Sequence, residues 1–112
     1  MKIRTKQVGN VTVLEVDGKI TIGAGDLALR QAVQQALDGG GCNLVLDLGQ
    51  VTHIDSSGVG ELVSAYTTAT NRGCKLKLAR IPAKVNDVLT ITQLITVFDV
   101  YDSQDEAVSS FQ

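Results

Sequence analysis

Apolar and polar positions follow two different periods along this chain. Residues 2–7 and 11–17 read as two strands joined at Gly9-Asn10, a dipeptide that suits a hairpin turn. In the second strand Val11, Val13, Glu15 and Asp17 share one face and Thr12, Leu14 and Val16 the other, so the alternation is partial. Gly18-Lys19-Ile20 ends this strand, and Thr21 to Gly25 is a loop with two glycines. Asp26 is the expected N-cap of a first helix. Leu29, Ala32, Val33, Ala36 and Leu37 then keep the 3.6-residue period, with Gln31, Gln34 and Gln35 on the opposite face. Gly39-Gly40-Gly41 stops that helix, because glycine readily takes the left-handed conformation of a helix end.

The stretch from Leu44 to Leu48 is apolar apart from Asp47, as a strand covered on both faces would be. A polar turn follows, and then Val59, Leu62, Val63 and Tyr66 recur at helical spacing, predicting a second helix over roughly 58–71. Cys74 to Arg80 alternates charged and apolar side chains, which predicts a strand with one wet face near a sheet edge. Ile81-Pro82 breaks it, and proline suits the start of a helix marked by Val85, Val88 and Leu89. Val97 to Tyr101 is a last short strand, and Ser103 with Glu106 fits a capping box before a final helix. The order ββαβαβαβα predicts an α/β fold: a small mixed, mostly parallel sheet of about five strands packed with four helices. At 112 residues one domain, 1–112, is expected.

Composition narrows the function. Aromatic residues are only 4% of the chain, so the core has to be built from Val, Leu, Ile and Ala. The net charge of −2 argues against a nucleic-acid partner, which needs basic clusters to neutralise phosphates. No stretch approaches the roughly 18 consecutive apolar residues of a membrane span, and the basic N-terminus lacks the apolar run of a signal peptide. A cytoplasmic protein without membrane insertion is expected. With one histidine and two cysteines, no metal site is expected. Cys42 and Cys74 read as small buried residues at strand starts, close together if the two strands are adjacent and in register.

The chemistry concentrates in Asp55-Ser56-Ser57-Gly58, the turn between the third strand and the second helix. A hydrolase elbow would need a glycine two residues before its serine, and here Ile54 precedes Ser56 and Asp55 precedes Ser57. His53, the only imidazole, lies on the same strand exit and has no sign of folding back onto a hydroxyl. Neither G-x-x-x-x-G-K-[ST] nor G-x-G-x-x-G occurs, so nucleotide binding through these loops is disfavoured. The plain reading of the turn is a helix cap, but a cap needs one polar residue and three stand here. A phosphorylated hydroxyl would suit the place, because unpaired N–H groups and the helix dipole favour negative charge.

Val51-Thr52-His53-Ile54-Asp55-Ser56-Ser57-Gly58-Val59-Gly60-Glu61-Leu62 resembles the signature of the STAS domain, and more narrowly the bacterial anti-sigma factor antagonists. Supporting features run from Gly18 through Val45-Leu46-Asp47-Leu48 and Gly73 with Leu76 and Leu78 to the last helix. The resemblance implies that Ser56 is phosphorylated by an anti-sigma factor serine kinase, with Asp55, Ser57, Gly58 and Gly60 forming the switch turn. It implies that the dephosphorylated form binds the anti-sigma factor and frees a sigma factor, and that a PP2C-type phosphatase resets the cycle. The chain itself would then be no enzyme and hold no cofactor, the ATP belonging to the kinase. Thr21, Gly23, Gly25, Asp26 and Glu61 are the expected partner-binding positions, and a weak homodimer is compatible with such a chain. The alternative is a STAS scaffold or accessory subunit of a signalling assembly or membrane lipid transporter, without kinase dependence. Two positions depart from the family pattern: Thr21 where many relatives carry aspartate, and Gln93 where they tend to carry glycine.

Overall fold

A computed structural model describes residues 1–111. Strands β1 (Lys2–Val8), β2 (Val11–Ile20), β3 (Asn43–Ile54), β4 (Lys75–Ala79) and β5 (Val100–Tyr101) form one sheet in the order β1-β2-β3-β4-β5. The first pair is antiparallel and the other three are parallel. Helices α1 (Ala24–Asp38), α2 (Ser56–Asn71), α3 (Ala83–Ile91) and α4 (Gln104–Ser109) follow β2, β3, β4 and β5. The α/β architecture read from the hydrophobic pattern is therefore the one observed.

The partial alternation of β2 now has a cause. Leu14 and Val16 join Leu44, Leu46 and Leu48 in a core against α1, α2 and α3. Val11 and Val13 face the other way and meet Val45, Ala79, Ala107 and Val108 under α4. Both faces of the central strands are thus buried over part of their length, and each fully buried Leu or Val contributes roughly 1.5–3 kcal/mol. Asp47 lies in this α4-covered face, 3% exposed. Its carboxylate accepts from Gln104 Nε2 (2.6 Å), Arg80 Nη1 (3.4 Å) and the Gly49 N–H (2.9 Å), which satisfies a charge that burial would otherwise penalise.

Several expectations are corrected. β2 continues through Gly18 to Ile20, and β3 continues five residues past Gly49, because these segments pair with each other across two register shifts. Helix α1 starts at Ala24, with Gly23 as its cap at φ 99, so Asp26 lies inside the first turn and does not cap it. β4 is not a wet-faced edge: Lys77 is buried, its ammonium donating to Ser110 Oγ (2.8 Å) and lying 4.3 Å from the Phe111 ring centre. The last strand shrinks to Val100–Tyr101. Cys42 is exposed and Cys74 half-buried, and the two are joined by a disulfide, so they are not small buried core residues. Gln93 adopts a left-handed conformation at φ 62, the mild strain expected where glycine is absent.

Candidate functional site at the turn between the third strand and the second helix

β2 and β3 run parallel and end together, with Ile20 opposite Ile54. The loop after β2 and the turn after β3 therefore meet at the same end of the sheet. Asp55 joins them. Its Oδ1 accepts from the Gly58 N–H (2.9 Å), capping α2, and its Oδ2 accepts from the Ile22 N–H (3.0 Å). One carboxylate thus serves two backbone donors, one of them 33 residues away from it in sequence. These donors, Ile22 first and Gly58 second, hold the Asp55 carboxyl below its ordinary value of 3.8. The turn consequently carries a negative charge at neutral pH.

Ser56 is the first residue of α2 and is exposed. Its hydroxyl takes no part in a side-chain hydrogen bond among the described residues. Ser57 is half-buried. Gly58 is buried, and a Cβ there would press into the Ile20 carbonyl oxygen and meet Ile54 Cγ1 at 2.8 Å. Gly60 is exposed, one helical turn beyond Ser56, and a Cβ there would meet nothing within 4 Å. Of the four switch-turn positions, Asp55 and Gly58 build the joint, Ser57 is half-buried beside them in sequence, and Gly60 is exposed.

The five further positions separate as well. Thr21 and Gly23 flank Ile22 on the loop tied to the turn, and the Thr21 carbonyl accepts from the Asp26 N–H (3.0 Å). Asp26 is half-buried, with Oδ1 accepting from the Leu27 N–H. Gly25 is buried, and a Cβ there would strike the Lys19 carbonyl oxygen, so its place is set by helix–strand packing. Glu61 faces α1: Arg30 Nε and Nη2 donate to its two oxygens at 3.0 and 2.9 Å, and its side chain is only 7% exposed. Two neighbours went unremarked in the sequence. Ile22 and Leu27 are 75% and 48% exposed, large apolar side chains on the loop tied to the turn and in the first turn of α1. Ile22 stands between residues of a glycine-bearing loop with no helical or strand period, and that isolation was the available signal.

A family profile, the STAS domain, matches residues 2–107. The chain belongs to the STAS domain family. A Paenibacillus polymyxa protein named anti-sigma F factor antagonist is 20% identical over 113 residues, covering 100% of this chain and 96% of that one. Among solved structures, a candidate anti-sigma factor antagonist from Thermotoga maritima superposes with a TM-score of 0.88 at 26% identity, covering 96% of this chain and 92% of the other. The Bacillus cell fate determinant SpoIIAA in its phosphorylated form gives 0.77 at 15% identity, covering 99% and 100%. The fold also recurs in a sulfate transporter family protein from Wolinella succinogenes, at a TM-score of 0.74 and 19% identity over 92% and 85% of the two chains. The STAS fold is thus shared with proteins of more than one role, and the site has to carry the functional distinction.

Proposed function

We propose that this STAS domain is an anti-sigma factor antagonist, a cytoplasmic binding module and not an enzyme. In this reading the dephosphorylated chain binds an anti-sigma factor kinase and frees a sigma factor, and phosphorylation at Ser56 switches binding off. The observation that carries it is the position of Ser56. It is an exposed hydroxyl at the first residue of α2, surplus to a cap already made by Asp55. The name of the Paenibacillus relative, and the existence of a phosphorylated form of a protein of this fold, support the same reading.

The physics of such a switch follows from the geometry. A phosphate adds about −1.5 to −2 charges. At a helix start the dipole offsets part of that by roughly 0.3–1 kcal/mol, so the fold survives modification. A partner's surface gains no such compensation. It would have to desolvate the phosphate beside the ionised Asp55 while covering the apolar side chains of Ile22 and Leu27. Ile22 and Leu27 are accordingly the apolar anchors of the docking surface, with the phosphate as the element that repels. ATP enters through the kinase, and a PP2C-type phosphatase removes the phosphate.

The test is intact mass after incubation with ATP and the anti-sigma kinase encoded nearest to this chain, using wild type and Ser56→Ala. One added phosphate in wild type and none in the variant is expected. Ser56→Ala should then bind the kinase constitutively and Ser56→Asp poorly. An unmodified wild type, with the kinase active on another substrate, overturns the reading in favour of a kinase-independent docking module.

A further inference from the structure

Cys42 and Cys74 stand directly before β3 and β4, at the sheet end opposite Ser56. The first register pair of these parallel neighbours is Asn43 with Lys75, and the Lys75 N–H donates to the Cys42 carbonyl (2.9 Å). The backbone ladder therefore holds the two cysteines side by side, with Cα atoms 4.5 Å apart, inside the range a disulfide spans. The bond joins residues 32 apart in sequence. The covalent ring so closed contains all of β3, the Ser56 turn and all of α2.

Accessibility distinguishes the two cysteines. Cys42 is exposed and Cys74 is half-buried. A small disulfide is met first by the more exposed Cys42, and Cys74 is placed to resolve the product. We propose that Cys42 and Cys74 are a reversible dithiol–disulfide couple whose oxidation, by a small disulfide such as oxidised glutathione, locks the β3–α2 unit. The Cys42 thiolate attacks one sulfur of oxidised glutathione, forms a mixed disulfide and releases one glutathione thiolate. The Cys74 thiolate then attacks the Cys42 sulfur, closes the intramolecular bond and releases the second glutathione. The protein loses two protons and two electrons, which leave on the two glutathione thiols. The consequence is mechanical: a ring around β3 and α2 restricts the opened states of that unit, so its local unfolding becomes rarer. This inference does not depend on phosphorylation of Ser56.

The experiment uses the full chain, reduced and then equilibrated across ratios of reduced to oxidised glutathione, quenched by alkylation, and read by intact mass and peptide mapping. The expected product is two hydrogens lighter than the reduced chain and yields a linked Cys42–Cys74 peptide. Dithiothreitol restores two alkylatable thiols. Hydrogen exchange in β3 and α2 slows on oxidation, and the thermal midpoint rises on the order of 10 °C. Cys74→Ser should stop at a glutathione mixed disulfide on Cys42. The proposal is overturned if both thiols stay alkylatable at every ratio or if each carries its own glutathione. It also fails if dithiothreitol does not reopen the bond, or if exchange and melting are the same in both forms.

Discussion

Two glycines in the first turns of α2 should respond in opposite directions to the same substitution. Alanine in place of glycine stabilises a helix interior by roughly 0.5–1 kcal/mol, because the unfolded chain loses freedom. At Gly60 a Cβ meets nothing within 4 Å, so Gly60→Ala should gain about that amount. At Gly58 the same Cβ presses into the Ile20 carbonyl oxygen and reaches Ile54 Cγ1 at 2.8 Å. The oxygen cannot swing aside, because it belongs to the last residue of β2 and accepts from the Asp55 N–H (3.4 Å). The helix start or the strand end has to move. Overpacking of this kind costs about 1–3 kcal/mol, which exceeds the helix-propensity gain and leaves a net loss of roughly 1–2 kcal/mol. For a chain of this size that is a fall in melting temperature on the order of 5–10 °C. Urea unfolding followed by far-UV circular dichroism measures both variants, with an unchanged slope showing that the denatured state is the same. A Gly58→Ala variant as stable as wild type, or a pair of variants shifting in the same direction, would refute the proposed close approach of α2 to β2.

The charged groups make two further predictions. Asp55 has a folded-state pKa below its ordinary value, so its stabilisation is fully present above the usual carboxylate range and is lost as pH falls through the folded value. The wild-type melting temperature should therefore fall more steeply below about pH 4 than that of Asp55→Asn, and parallel pH profiles would contradict it. Arg30→Ala strands the buried Glu61 carboxylate, so it should destabilise more than the double variant Arg30→Ala/Glu61→Gln does. A double-mutant cycle in urea checks this, and a double variant no more stable than Arg30→Ala would reduce the pair to a surface contact.

Local signals made most of the fold legible, and long-range pairing accounts for what they missed. The 3.6-residue period of Leu29 to Leu37 and of Val59 to Tyr66 located α1 and α2, since each helix buries one stripe on the sheet. The ends were harder. Asp26 looked like a cap, but the φ of 99 at Gly23 and the tight seat of Gly25 over the Lys19 carbonyl start α1 earlier. The apolar run of β3 stops at Leu48, yet Gln50 to His53 continue the strand because they pair with Asp17 to Lys19 across the sheet. Lys77 looked solvated, and only the return of α4 over β4 buries it. The Asp-Ser-Ser-Gly turn was legible because its residues are contiguous. Ile22 and the Arg30–Glu61 pair, 31 residues apart, come together only in the fold.

The three polar residues of the turn can be separated by what folding asks of each. Asp55 uses both of its oxygens internally, one for the cap of α2 and one for the Ile22 loop. Asparagine could reproduce the first of these acceptors, but its amide would face the second donor with a donor. A carboxylate is therefore the side chain that locks turn to loop. Ser56 has no comparable engagement among the described residues and points to solvent. Its truncation to alanine leaves the cap and the packing of α2 in place, so Ser56→Ala is a folded control in the phosphate-transfer experiment. A loss of phosphate uptake in that variant can then be assigned to the missing hydroxyl. Because Asp55 holds Ile22 in place, charge added at Ser56 arises next to the same joint that positions the exposed apolar side chain. A phosphate there changes the electrostatics of the proposed docking surface without removing any contact that the fold depends on.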